Sequence, residues 1–243
     1  MLDALSAAVG LMSNGIQQMG IISQNLANVS TTGFRREISV ARPFTDVLAA
    51  AGPEGASVGY ATSVPMLDTV QDVRPGTLRT TSNPLDFAIE GDGFFEVSTG
   101  AGPRYTRQGN FRLDSLGRLV SEAGAPVMGA SGEILLNSSQ VSVDSQGRIL
   151  ENQKQVGQLR LVRFANPRAM VNSGAGLYAA GASTPDAAGA GSVRQGFLEG
   201  SNVNSTREMV RMIETVRLFE AGQKIVQAYD EMLDRSLSKL GEF

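Results

Sequence analysis

The chain has 243 residues, a formal net charge of −3, 28 Gly, and no His, Cys or Trp. That length suffices for one large or two small domains with a buried core, and the near-even charge argues against nucleic acid or an anionic membrane as the main partner. Without His and Cys, the usual general base, the thiol nucleophile, imidazole and thiolate metal ligands and the disulfide are all excluded. The missing Cys also suits a protein that passes into an oxidising compartment.

Near the start, apolar residues fall at Leu2, Leu5, Val9, Met12, Ile16, Met19 and Leu26, with Ser23 in the open slot and steps alternating three and four. This spacing predicts a helix from about Asp3 to Ala27 with one narrow stripe suited to helix-on-helix packing. Gly10, Gly15 and Gly20 interrupt it, each at a cost of about 1 kcal/mol relative to Ala, so the helix is expected to need partners to order it. Asp3 is the only charge from Met1 to Phe34. A cleavable signal peptide is not expected, because the positively charged n-region is missing. Nor is a membrane span, because Ser13, Asn14, Gln17, Gln18, Ser23, Gln24 and Asn25 are costly in hydrocarbon. The run Asn28 to Gly33 is expected to end the helix, with Gly33 suited to a positive φ.

Residues 35–69 carry a weak pattern and read as an extended or loop connection, flexible around Ala49 to Gly55, with two readings open for 43–60: extended, or ordered only in an assembly. Residues 70–200 read as a mainly antiparallel β domain. Asp86 to Ile89 and Phe94 to Val97 flank a hairpin-like turn at Glu90-Gly91-Asp92-Gly93. Asp114-Ser115-Leu116-Gly117-Arg118-Leu119 recurs as Asp144-Ser145-Gln146-Gly147-Arg148-Ile149. Each copy reads as a strand–turn–strand corner, with Asp bonding its own backbone and Gly left-handed. Gln158 to Phe164 is another strand candidate, and 165–191 is read as loop with one short strand around Gly176 to Ala179.

The last segment, 201–243, reads as a helix from about Thr206 to Leu240, with a capping box at Ser205 and Glu208. Its stripe is Met209, Met212, Val216, Phe219, Val226, Leu233, Leu237 and Leu240, broken by Gln223 and Asp230. Ile225, Tyr229 and Met232 form a second stripe, so this helix can touch more than one neighbour. The fold expected is α+β, with segment 1–34 and segment 201–243 pairing as an antiparallel coiled-coil layer and a central, mainly antiparallel β domain. The expected interface residues are Leu5, Val9, Met12, Ile16, Met19, Leu26, Met209, Met212, Val216, Phe219, Val226, Leu233 and Leu237.

Catalysis and metal binding find little support. Asp86, Glu90, Asp92 and Glu96 cluster in sequence as paired carboxylates do in glycosidases, yet carboxylates beside Gly are ordinary turn residues and no aromatic platform accompanies them. The Asp-Ser-x-Gly-Arg corners lack the further acidic positions of a calcium loop, and no Lys-Ser or Lys-Thr follows Gly91-Asp92-Gly93 as a phosphate loop requires. No catalytic residue, cofactor or metal is expected. The alternatives are a carboxylate-dependent hydrolase and an exported carbohydrate-binding or adhesin β module.

Three blocks carry a family resemblance. They are Asn25-Leu26-Ala27-Asn28-Val29-Ser30-Thr31-Thr32-Gly33-Phe34; Asn83 to Phe95 with Tyr105-Thr106-Arg107 and Gly109-Asn110-Phe111; and Leu198-Glu199-Gly200-Ser201-Asn202-Val203-Asn204 with Glu208-Met209-Val210 and Met212-Ile213. Together they resemble the bacterial flagellar axial proteins, in particular the basal-body rod proteins, with Asn25, Ala27, Asn28, Thr31, Gly33, Phe34, Ser201, Asn202 and Val203 among the motif positions. The compact middle and Gly102 to Arg107 favour a proximal-rod member, a distal-rod member shares most of the motifs, and the middle is too short for the outer domains of hook protein. The resemblance implies a structural subunit of a hollow helical shaft in the periplasm that carries torque from motor to hook. It implies copies of itself and other rod and hook proteins as partners, export by the flagellar type III apparatus, no nucleic acid and no direct membrane insertion.

Overall fold

A computed structural model of the chain describes residues 2–41, 67–186 and 191–240. It is α+β, with one helix at each end and an antiparallel β domain between them. The expected flexible loop at 49–55, and 43–60 as a whole, lie outside the described residues. The chain forms two compact units, one made of 1–27, 37–70 and 204–243, the other of 28–36 and 71–203.

The helical unit contains α1, Leu2–Ala27, and α2, Ser205–Leu240. The weakly patterned connection holds strands after all, as Glu37–Ala41 pairs with Leu67–Gln71. At the start of α2 the capping residue is Asn204, one position before the expected Ser205. Asn204 Oδ1 accepts the Arg207 N–H at 3.0 Å, and its carbonyl accepts the Glu208 N–H at 3.0 Å. Asn is as good an N-cap as Ser, so Glu208 falls one residue beyond the capping-box position. It is buried instead, 3.6 Å from the Arg211 guanidinium.

In the β unit, a six-stranded antiparallel sheet runs in the order Val171–Asn172, Leu177–Ala179, Gly102–Thr106, Phe94–Thr99, Leu161–Phe164, Pro185–Asp186. Alternation along its central strand sends Phe95 and Val97 into one apolar cluster with Phe87, Leu119 and Ile149, and Phe94 into another with Tyr105, Phe164 and Tyr178. Edge-to-face rings fill both, with Phe95–Phe111 centroids 5.1 Å apart and Tyr105–Phe164 4.7 Å apart.

Both repeated corners form as the sequence predicts. Asp114 Oδ1 accepts the N–H groups of Leu116 and Arg118 at 2.8 Å each, and Asp144 Oδ1 those of Gln146 and Arg148 at 3.0 Å each. Gly117 and Gly147 are left-handed, at φ 76° and 75°.

Glu90 to Gly93 is not a hairpin. Phe87–Glu90 pairs with Ser192–Gln195, whereas Phe94–Thr99 pairs with Gly102–Thr106 and Leu161–Phe164. Gly91 and Gly93, at φ 98° and 138°, swing the chain from one sheet to another. The Arg107 guanidinium fixes the bend by donating to the carbonyls of Ile89 and Gly91 at 3.2 and 2.7 Å. Residues 158–164 likewise divide, into Lys154–Gln158 of a three-stranded sheet and Leu161–Phe164 of the six-stranded one. The stretch read as loop with one strand holds Val171–Asn172, Leu177–Ala179 and Pro185–Asp186.

Candidate assembly interface

Within the helical unit, α1 and α2 run antiparallel. Gly15 lies 3.8 Å, measured from an ideal Cβ, from the Phe219 ring, and Gly222 sits under Met12 and the Ala8 carbonyl. The seam on α1 is Ala8, Gly15 and Ile22, with Met12, Met19 and Leu26 half-buried beside them. On α2 it is Glu208, Thr215 and Gly222, with Met212, Phe219 and Val226 half-buried. Gly222 is therefore a close contact point, since an added Cβ there would fall 2.9 Å from Met12 Cγ, whereas at Gly15 it would make ordinary contact with Phe219 and at Gly20 it would meet nothing.

This seam uses only half of the expected stripe. Met12, Met19, Leu26, Met212, Phe219 and Val226 face it. Val9 and Ile16 lie one position round the helix and remain 55% and 59% exposed. Met209 and Val216, at 51% and 37%, and Leu233 are exposed in the same way. Leu5 and Leu237 lie in the helices, but their side chains fall outside the described residues. Gln223 and Asp230 share the outward line of Met209 and Val216 and are exposed too, so neither polar break interrupts the seam. On the other flank of α2, Leu218, Ile225 and Met232 recur every seven residues and are also exposed.

The motif residues form two hydrogen-bonded networks. In the helical unit, fully buried Asn25 treats the Glu37 backbone as a β-bridge partner: its Nδ2 donates to the Glu37 carbonyl at 2.7 Å, and its Oδ1 accepts the Glu37 N–H at 2.8 Å. In the β unit, Asn202 ties three segments together. Its Oδ1 accepts the Arg36 N–H at 2.7 Å, while its Nδ2 donates to the carbonyls of Asp72 and Arg74 at 3.0 and 2.8 Å. Asn28 accepts from the Thr31 hydroxyl at 3.1 Å, and Gly33, left-handed at φ 65°, donates its N–H to the Glu199 carbonyl at 2.8 Å. Phe34 is buried, Ser201 and Val203 are half-buried, and Ala27 is exposed.

The centre of the second network is an ion triad. Glu199, 2% exposed, lies 2.9 Å from the Arg35 guanidinium and 3.2 Å from that of Arg107, and it accepts the Gly76 N–H at 2.9 Å. Burial pushes the Arg107 guanidinium down to about 10, and the Glu199 charge opposes the shift. The pairing of Arg107 with Glu199 spans 92 residues of sequence, and nothing in the local pattern marks it.

The clustered carboxylates are engaged separately. Asp86 accepts from Asn83 Nδ2 at 2.8 Å, Glu90 lies 3.8 Å from Arg194, and Glu96 lies 3.3 Å from Arg160. Among the described residues no group of three or more acidic side chains is placed to hold a metal ion, and no helix is long and apolar enough to cross a membrane.

Two family models match the chain. Residues 194–240 match the flagellar basal body rod FlgEFG protein C-terminal model, and residues 88–151 match the flagellar hook protein FlgE/F/G D1 domain. The flagellar basal-body rod protein FlgG of Bacillus subtilis is 33% identical over 258 residues, covering 96% of this chain and 97% of the relative. FlgG of Buchnera aphidicola from Acyrthosiphon pisum is 37% identical, covering 91% and 93%. FlgF of Escherichia coli K12 is 31% identical, covering 96% of each. End-to-end similarity of this kind shows that the chain belongs to the flagellar basal-body rod protein family.

Proposed function

We propose that this chain is a structural subunit of the proximal segment of the flagellar rod, built into a hollow helical shaft in the periplasm through its terminal helices. Membership of the rod and hook family supports assembly with other flagellar axial proteins in the basal body. One observation carries the helix-mediated mechanism: Val9, Ile16, Met209, Val216, Leu218, Ile225 and Met232 leave apolar surface exposed on the helical unit. In this reading α1 and α2 form a coiled-coil-like layer, and neighbouring copies cover the flanks that their mutual seam leaves open. Such contacts are heterologous, so they propagate helically and do not close into a dimer. Export runs through the flagellar type III apparatus, and the shaft carries torque without chemistry of its own.

The compact middle supports the proximal assignment, and FlgF of Mesorhizobium japonicum aligns over 99% of both chains. The 37% identity to a FlgG protein favours a second reading, the distal rod. Tracing the chain in a cryo-EM map of the basal body separates the two by its height along the shaft. The mechanism is tested by Ile16→Asp and Val216→Asp. Both variants are expected to keep a folded β unit and to lose rod incorporation and swimming. Wild-type motility in both would count heavily against the helices as the packing layer.

A further inference from the structure

We propose that the concavity in the β unit between residues 71–73, 92–94 and 163–167 is a binding site for a single carboxylate group. Arg35, Arg107, Arg163 and Asp92 line it, with Phe94 and Phe164 among its apolar walls. Arg35 and Arg107 are each 4% exposed, so their guanidiniums are fixed in place before any ligand arrives.

The hydrogen bonding of Arg107 is incomplete. A guanidinium carries five N–H donors. Arg107 donates to the Ile89 and Gly91 carbonyls and to Glu199, while its buried Nε has no partner. Arg35 donates to the carbonyls of Val73 and Arg74 and pairs with Glu199. One carboxylate thus serves two buried cations and leaves one positive charge in excess. At the rim, the opposite charges of Arg163 and Asp92 cancel, and both residues are exposed. Burial lowers the Arg107 guanidinium, the neighbouring Arg35 charge adds to that, and Glu199 and Asp92 oppose it.

A single negative charge balances this excess, and a guanidinium fork matches the planar carboxylate in particular. A dianion would bring a second negative charge towards Asp92 and Glu199. The carboxylate could come from a free small acid or from an Asp or Glu side chain of another polypeptide, and the chemistry of recognition is the same.

The test uses the full-length chain labelled with 15N. Sodium acetate is titrated against sodium chloride at matched ionic strength, and the amides of Gly93, Phe94 and Phe164 are followed by NMR. Saturable shifts with acetate, absent with chloride and weakened at least tenfold in Arg163→Gln, are expected. Equal shifts with chloride, equal acetate affinity in Arg163→Gln, or no shift with acetate would overturn the site. Sedimentation of the same chain with and without acetate identifies the source. Weaker self-association in acetate assigns the site to a carboxylate of a second copy, and unchanged association to a free acid. Neither readout involves rod incorporation, so failure here is separate from failure of the assembly mechanism.

Discussion

The two units of this protein treat apolar side chains in opposite ways. The β unit closes over them: Phe87, Phe95 and Ile149 have no exposed surface at all. The helical unit packs a seam rich in small residues and leaves most of its larger aliphatic side chains outside. Burial of apolar surface stabilises by roughly 25 cal/mol per Å², so a seam of Ala8, Gly15, Thr215 and Gly222 brings backbones close while burying little. The β unit buries its core within a single copy, whereas under the proposed assembly the helical unit is half of an interface, and the exposed lines on both flanks of α2 are the surface left for neighbours to cover.

The largest effect expected on the β unit comes from Glu199→Ala, which strands two buried guanidiniums without their carboxylate. Breaking a buried ion network by removing one partner typically costs about 3–5 kcal/mol, and urea unfolding of the β unit should report a loss of that size. Asn25→Ala comes next, on the helical side. It leaves the buried Glu37 N–H and carbonyl without their partner at about 1–3 kcal/mol per unsatisfied group. Faster hydrogen exchange at Glu37, with β-unit amides unchanged, is the expected readout.

A smaller effect concerns acid. Arg118 bonding holds the Asp114 carboxyl below its ordinary value. At Asp144 partial desolvation works against the same shift, but bonds from the Arg148 and Gln146 N–H groups and the Arg148 side chain outweigh it. A lowered folded-state value means that stability is present above the unfolded pKa, about 3.9, and is lost as pH falls through the folded one. Replacing both residues by Asn should flatten that acid limb of the stability curve; an unchanged limb would show that the corners contribute nothing to it. The smallest effect on folding is expected from Ile16→Asp, within about 0.5 kcal/mol in the free chain, although the same substitution should abolish incorporation. A large loss of stability in the free chain would erase the contrast between the units.

What the sequence made legible follows from how local each interaction is. The Asp-Ser-x-Gly-Arg corners were readable because every bond in them lies within four residues. Both helices were readable from their apolar spacing, and Gly33 from its place after a run of turn formers. The expected stripe included Met12, Met19 and Phe219, which face the seam, but not the small residues at its centre. Pattern reading follows large apolar residues, so Val9 and Ile16 outweighed Ala8, which lies against Gly222, and Gly15, which lies against Phe219. The hairpin at Gly91 failed because Phe87–Glu90 finds its partner about a hundred residues later, in Ser192–Gln195. The triad of Arg35, Arg107 and Glu199 was hidden in the same way. Arg107 and Glu199 stood inside recognisable motif blocks, Arg35 lay just after one, and no spacing revealed that the three meet.

The central claim, that the helical unit is incomplete without its neighbours, is tested most directly by hydrogen exchange on the free full-length chain and on assembled rods. Amides of α1 and α2 are predicted to exchange orders of magnitude faster than those of Phe87 and Phe95 in the free chain, and to become protected on assembly. Equal protection of the helices and the β unit in the free chain would contradict the account.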